Sequence, residues 1–549
     1  MEMDMALGCH TTPESEHPMW HPHGWRLMWP LVLGLLFMAL LAFPLLATPG
    51  GDLDNRPINL SKRAELGLKS ADADLDASAD GKWVATVWSL GYDHKPDTAQ
   101  VGNIMLKSAN VITGWERQVY VFTATATQWA QQPRLVFHPS NSSQVAVVWV
   151  VCQNKDEQCD TIQMTTCELA AFPDRCQAPQ TVHREVGATL SNPDVAYDGS
   201  GVLHFIWRRS GGEAGLYYKS ENFPATKIPN TGANSFNPSL AWSSGGGGRL
   251  HLVWYEYADQ VSNRAIRYSR DDNLSNDGWP NVLCSWRAAS SYQFTGGTNQ
   301  PYIKPSIAAS GNHVYLVWDM WLGSSDPSDA KFQLVYEHSS DNGETWLTGR
   351  GGEGKALPGT SFGEEEHLYL SPLNSIAEEQ TLRPSIALNG GLPAVAWHTQ
   401  RMVGENTIYV IGYASSISVS GVISWQTPVF ITNALNYDPN DGVPEDDSAN
   451  PRLAFWPGGR LHLVHMGLWG GNPFNETSDW DIYYRGYVIT DTSTFPTPTS
   501  PPGTPPTPPS GRTPTSPPGI TPTSSPIPGP TVDPYDDVRK VRLPVIMKR

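Results

Sequence analysis

The chain has 549 residues, of which 17% are charged, with 49 Gly, 47 Pro and 21 Trp. Charged residues fall below the usual globular share while Gly and Pro exceed theirs, which excludes a coiled coil or a helical solenoid and points to an all-β chain. The formal charge of −17, from 54 acids against 37 bases, excludes non-specific nucleic-acid binding, because a phosphate backbone needs a basic face.

Residues 1–26 form a short polar segment rich in His and acids, expected to be cytoplasmic. Residues 27–48 then run almost without polarity, LMWPLVLGLLFMALLAFPLLAT, a length that crosses a bilayer as a helix. Arg26 at its N-terminal edge suits a positive-inside orientation. An uncleaved membrane anchor is expected, with a removed signal peptide as the alternative. Either reading exports everything after Gly50 and places it on the extracellular face of the membrane or cell surface.

Residues 55–490 repeat themselves. The phrase PRLVFHPSNSSQVAVVW at Pro133 recurs as PDVAYDGSGVLHFIW at Pro193, PSLAWSSGGGGRLHLVW at Pro238 and PSIAASGNHVYLVW at Pro305. It returns as PSIALNGGLPAVAW at Pro384 and PRLAFWPGGRLHLVH at Pro451, and ADLDASADGKWVATVW at Ala73 is a degenerate first copy. A period of this size belongs to propellers or arrays. Each copy reads as two strands joined by a Gly- or Ser-rich turn, the second strand alternating apolar residues before a Trp. A third strand ends in a serine (Ser108, Ser220, Ser269, Ser339), and a fourth opens at a further Trp. Four antiparallel strands repeated around a ring make a β-propeller. The seventh copy ends with IYYRGYVIT and lacks a fourth strand, so RPINLS at 56–61 is expected to complete the last blade and close the ring. Seven four-stranded blades are the first expectation, and six with one irregular insertion the alternative.

Within the second copy, Cys152, Cys159, Cys167 and Cys176 lie close together. Their gaps are wider than zinc knuckles use, and an exported chain meets an oxidising compartment, so two local disulfides in one inserted loop are expected, in a pairing that sequence leaves open. No resident cofactor is expected. The acidic loop 437–447 offers Asp438, Asn440 and Asp441 to a calcium ion, although Gly442 comes one residue early for an EF-hand, and a second acidic loop spans 363–367. Beyond the repeats, residues 495–534 are a Pro/Thr-rich stretch suited to an extended polyproline stalk, and 535–549 a short basic and apolar tag.

The most specific motif is SSDNGETW at 339–346. Asp341 can accept bonds from its own turn's amides, Gly343 supplies positive φ, and Trp346 packs on the blade. Ser339, Asp341, Gly343, Thr345 and Trp346 match an Asp-box, and here the repeats resemble the sialidase (neuraminidase) superfamily. The resemblance implies a propeller whose Asp-boxes are structural turns on the face opposite the ligand site. It also implies an exo-sialidase-like glycoside hydrolase in which three arginines grip a carboxylate, a Tyr with an acidic partner is nucleophile and an Asp is acid/base. Bidentate guanidinium suits a carboxylate, and a Tyr oxygen avoids the repulsion a second carboxylate would impose. The family's Arg-Ile-Pro triplet does not occur in this chain; the nearest approach is Arg383-Pro384, in the sixth copy.

In a propeller the start of the first strand and the end of the second open on one face, around the axial channel. Those positions hold Gln132 and Arg134, Asn192 and Asp194, Asn237 and Glu256, Lys304 and Asp319, Arg383 and His398, Asn450 and Arg452, with Arg208, Asp93 and His94 just beyond second strands. Arg383, Lys304, Arg134, Arg452, Arg208 and His398 are therefore the expected ligand-binding residues, and Asp319, Glu256 and Asp194 the expected catalytic carboxylates, with strand-end capping as the bland alternative. The expected partner is a glycan or a surface protein, reached by a membrane-tethered monomer. Glycan recognition at the channel mouth, with or without hydrolysis, is the leading expectation, and a non-catalytic adhesin or interaction propeller the alternative.

Overall fold

A computed structural model describes residues 58–486 apart from loops, the longest being 62–69, 91–101, 272–278, 288–302, 322–331, 348–354, 357–380, 433–447 and 470–478. The anchor, Asp93, His94, both acidic loops with Asp438, Asn440 and Asp441, the stalk and the tag lie outside the described residues. No described helix is long and apolar enough to cross a membrane. The described strands form seven antiparallel sheets. Blades 1 to 6 follow chain order, with first strands Ser70–Ala77, Gln128–Phe137, Thr189–Tyr197, Ser235–Ser243, Ser306–Ser310 and Thr381–Asn389.

Blade 7 is built from both ends of the ring. Ser448–Trp456, Arg460–Trp469 and Asp479–Gly486 supply three strands, and Ile58–Asn59 supplies the outermost, pairing Ile58 with Tyr484 and Asn59 with Tyr483. Leu60 N–H donates to Ile482 O at 2.8 Å, and Asn59 Nδ2 donates to Asp481 Oδ2 at 2.6 Å. Ser61 Oγ donates to Asp481 Oδ1 and accepts from Ile482 N–H at 3.0 Å. The expected closure by the N-terminal strand is therefore what joins the ends.

Second strands such as Trp83–Leu90 are buried along their whole length, because each blade is covered on both faces by its neighbours. The wedges are the terminal tryptophans: Trp88, Trp149, Trp207, Trp254 and Trp318 are all fully buried, and His465 takes the position in blade 7. Successive blades sandwich seven apolar clusters, one per interface, with Ile482 and Tyr484 of blade 7 meeting Val84 and Trp88 of blade 1.

The disulfides are Cys152–Cys159 and Cys167–Cys176. They do not close an inserted loop, as the spacing suggests. Cys152 is the penultimate residue of the second strand of blade 2, Gln144–Gln153, Cys159 and Cys167 lie in its third, and Cys176 in its fourth, so the bridges staple consecutive strands of one sheet. The third strand, Gln158–Glu168, is simply longer than the repeat suggests.

Candidate functional site

First strands pack side by side around the ring, blade 7 against blade 1, and line the axial channel. Part-exposed residues recur at alternate positions in Ser70–Ala77 (Asp72, Asp74, Asp76) and towards the end of Gln128–Phe137 (Arg134, Val136), as a strand with one face on the channel requires. Six of the seven carry a register shift, and each shift holds a residue of positive φ: Asp72, Gln132, Asn192, Asn237, Arg383 and Asn450. In five of these a proline follows, a residue with no N–H to orphan where the ladder breaks. Asn tolerates the left-handed region, whereas Gln132 and Arg383 adopt it at a cost of about 1–2 kcal/mol. A bulge re-aims its own side chain, and the strand's period of two resumes at the residue two positions on.

Three tiers result. The mouth tier is Asp72, Gln132, Asn192, Asn237, Lys304, Arg383 and Asn450. The middle tier is Asp74, Arg134, Asp194, Ser239, Ser306, Ser385 and Arg452. The third, Asp76, Val136, Ala196, Ala241, Ala308, Ala387 and Ala454, is small or apolar apart from Asp76.

Part of this lining stitches blades together. Asp74 Oδ2 accepts from Leu135 N–H at 2.9 Å, Asp76 Oδ2 from Phe137 N–H at 2.9 Å, and Asp194 Oδ2 from Leu240 N–H at 2.8 Å. Gln132 Oε1 accepts from Asn192 N–H at 2.6 Å, and Asn237 Nδ2 donates to Ile303 O at 2.9 Å. Asp194, one of the expected acid/base groups, thus bridges blades 3 and 4 while its burial raises its pKa against the pull of Arg134. Arg452 Nε lies 3.4 Å from Asp74 Oδ1.

The cations converge. Burial pushes the Lys304 ammonium well below its usual pKa, followed by the repulsion of Arg452, Arg134 and Arg383, with Asp72 opposing. Burial, then Arg134, likewise lowers Arg452 to about 10. Four positive groups from blades 2, 5, 6 and 7 therefore share one region of the channel. All four are part-exposed.

Asp319, directly after the wedge Trp318, is fully buried beneath this cluster. Its Oδ1 accepts from Lys304 N–H at 3.2 Å, and its Oδ2 has no hydrogen-bond partner. Burial raises its pKa from 3.8 to about 7, although the backbone amide and the charge of Arg383 pull the other way. His398 occupies the equivalent position in blade 6, where it accepts from Asn450 N–H at 3.2 Å; burial and then Arg383 hold it well below its usual pKa. Arg383 Nη1 donates to Asn450 Oδ1 at 2.7 Å, so its guanidinium lies among mouth-tier groups.

Two expected site residues find their partners elsewhere. Arg208 Nε and Nη2 donate to the carbonyls of Ser235 and Ala233, each at 3.1 Å, and its guanidinium covers Phe236 at 4.2 Å. Glu256 Oε2 accepts from Ser235 Oγ at 2.7 Å and Trp254 Nε1 at 3.1 Å. Both brace the entry of blade 4. Conversely, Asp72 and Asp74 join the lining although the degenerate first copy hides them. The signal was their period-two run with Asp76, three acids on one face of a strand.

The turn 339–346 sits at the other ends of the strands. Asp341 Oδ1 accepts from Thr345 N–H at 2.8 Å, Glu344 N–H at 3.1 Å and Ser339 Oγ at 2.7 Å, and Oδ2 accepts from the Thr345 hydroxyl. Despite partial burial, these bonds lower its pKa. Gly343 has a φ of +85°, and a Cβ there would lie 2.1 Å from the hydroxyl of Tyr268, which His251 holds at 2.7 Å. Trp346 packs edge-on against the same ring at 4.8 Å.

No protein-family model and no curated protein matches the chain. Among solved structures it is similar to the NanB sialidase of Streptococcus pneumoniae at 11% identity and a TM-score of 0.37, covering 77% of this chain and 68% of that one. The intramolecular trans-sialidase of Ruminococcus gnavus is similar at 10% identity and a TM-score of 0.38, covering 78% and 96%. A protein of unknown function from Dyadobacter fermentans is similar at 10% identity and a TM-score of 0.35, covering 78% and 97%. The chain is a seven-bladed β-propeller with sialidases among its structural neighbours; blade count and topology follow from its own strand pairing. Among the described residues no three His, Cys, Asp or Glu side chains are grouped to hold a metal ion.

Proposed function

We propose that the protein is an exported, surface-tethered propeller whose channel mouth binds a carboxylate-bearing glycan. One observation carries this reading: Arg134, Lys304, Arg383 and Arg452, from four different blades, are part-exposed at the channel ends of first strands that pack side by side around the ring. Asp74 pairs with Arg452, and Asp72 and Asp194 offset part of the remaining charge, which a bound anion would offset further. Guanidinium forks match a planar carboxylate. The test is a glycan array probed with the full-length protein. Binding confined to acidic glycans supports the reading, and binding to neutral glycans alone, or to none, overturns it.

A second reading, glycoside hydrolysis, draws support from Asp319, a buried carboxyl that titrates near neutrality beside the cations. A general acid works best with its pKa near the working pH. Release of the fluorophore from a fluorogenic acidic glycoside, abolished by Asp319→Asn, separates hydrolysis from binding alone.

A further inference from the structure

We infer that Asn450 sets the preference of the channel mouth for acidic ligands, by holding the Arg383 guanidinium in place with a neutral amide and so leaving its charge to the ligand. This rests on the proposed function only in taking the mouth as the site of an acidic ligand.

Arg383 and Asn450 occupy the bulges of neighbouring first strands, Thr381–Asn389 of blade 6 and Ser448–Trp456 of blade 7, with φ of +54° and +51°. Arg383 Nη1 donates to Asn450 Oδ1 at 2.7 Å, and among the described residues that guanidinium has no other hydrogen bond and no ion pair. A guanidinium only donates, so the amide oxygen must face it. Asn450 Nδ2 then donates to Met466 Sδ at 3.2 Å, and the Asn450 N–H donates to His398 Nδ1 at 3.2 Å. Leu453 N–H donates to Ser385 Oγ at 3.4 Å, tying the same two strands again. The bonding thus runs from His398 of blade 6 into blade 7 and returns through Asn450 to Arg383 of blade 6. The guanidinium is oriented across the seam.

Four arginines elsewhere in the chain are fixed by a carboxylate: Arg209 by Glu185, Arg249 and Arg270 by Glu344, and Arg452 by Asp74. An aspartate at 450 would have the same shape as asparagine and would grip the fork more strongly, through a charge-assisted bond. It would also cancel the charge. An amide orients without neutralising, so the part-exposed guanidinium meets a ligand carboxylate without first breaking an ion pair.

The test compares the full-length parent with Asn450→Asp and Asn450→Gly, by melting temperature and by titration on the same array of acidic and neutral glycans. Asn450→Asp should keep or raise the melting temperature and lose about ten-fold or more in affinity for acidic glycans. Asn450→Gly, which accepts the left-handed φ, should lose only about three-fold, because the guanidinium keeps its charge but loses its orientation. A merely structural Asn450 predicts the reverse order, since aspartate preserves the bond and glycine removes it. Unchanged binding by Asn450→Asp, or a greater loss with glycine than with aspartate, overturns the proposal. Should Asn450→Asp not fold, Asn450→Gly decides: weaker binding at an unchanged melting temperature supports the proposal, and unchanged binding overturns it. A parent that binds no acidic glycan sinks the binding reading itself, whereas a binding parent with an unaffected aspartate variant sinks this inference alone.

Discussion

Both the turn at 339–346 and the channel mouth are polar, and both use positive φ, but they use these features differently. In the turn, glycine and asparagine take the left-handed positions, and both oxygens of Asp341 are bonded within the turn itself. At the mouth, Gln132 and Arg383 accept strain that glycine would avoid, four cations crowd together, and buried oxygens of Asp72, Asn237 and Asp319 stay unpartnered. A self-satisfied turn stabilises the fold. A strained and unsatisfied ring destabilises it.

The largest effect that would test this contrast is at Asp319. Its folded-state pKa of about 7 exceeds the unfolded value of 3.8, so the native state binds this proton more tightly. That stabilisation is full below about pH 4 and is lost as pH rises to about 7, on the order of 4 kcal/mol in all. Asp319→Asn should therefore stabilise the protein above neutral pH and flatten its pH–stability curve. Asp76, raised by burial to about 7 in the same sense, should retain a share of that curve. Urea titrations across pH check both, and a variant less stable than the parent above neutrality would refute the strain argument.

At the other end, Gly343→Ala should destabilise by about 2–4 kcal/mol, combining left-handed strain with the clash on Tyr268, and should leave ligand affinity unchanged. A loss of binding at unchanged melting temperature would mean the two ends have been assigned the wrong way round.

Arg383→Ala should weaken acidic-ligand binding by about 1.5–3 kcal/mol, ten-fold or more, while costing little stability, because it removes strain and repulsion along with one bond to Asn450. Isothermal titration of parent and variant measures it. Asp341→Ala, the smallest effect, should lower stability by about 1 kcal/mol without changing affinity. Its depressed pKa means this contribution is present above the unfolded carboxylate range and lost as pH falls through the folded value, so the variant and parent should converge in acid.

Much of the fold was legible because each copy repeats one physical pattern. The alternation before a tryptophan marks a strand wedged between blades, and the missing fourth strand of the last copy is a defect that only a segment from the other end can mend. The turn motif was equally readable, since Asp341 and Gly343 act on backbone atoms within a few residues. Less of the channel was legible. Strand-end positions placed Arg134, Lys304, Arg383, Arg452, Asp319 and His398 on one face, yet the same rule enrolled Arg208 and Glu256, which bond at the entry of blade 4.

The sequence by itself determined what depends on neighbours along the chain: strand periodicity, the number of repeats, turn chemistry and the capacity for two local disulfides. The tertiary structure alone decided which cysteines pair, because Cys152–Cys159 and Cys167–Cys176 follow from strand register. It alone decided which charges face one another, because the channel cations come from positions as far apart as Arg134 and Arg452 and meet only when the ring closes. Local signals are repeated in every blade; the electrostatics of the channel exist once, at the axis, where all seven blades converge.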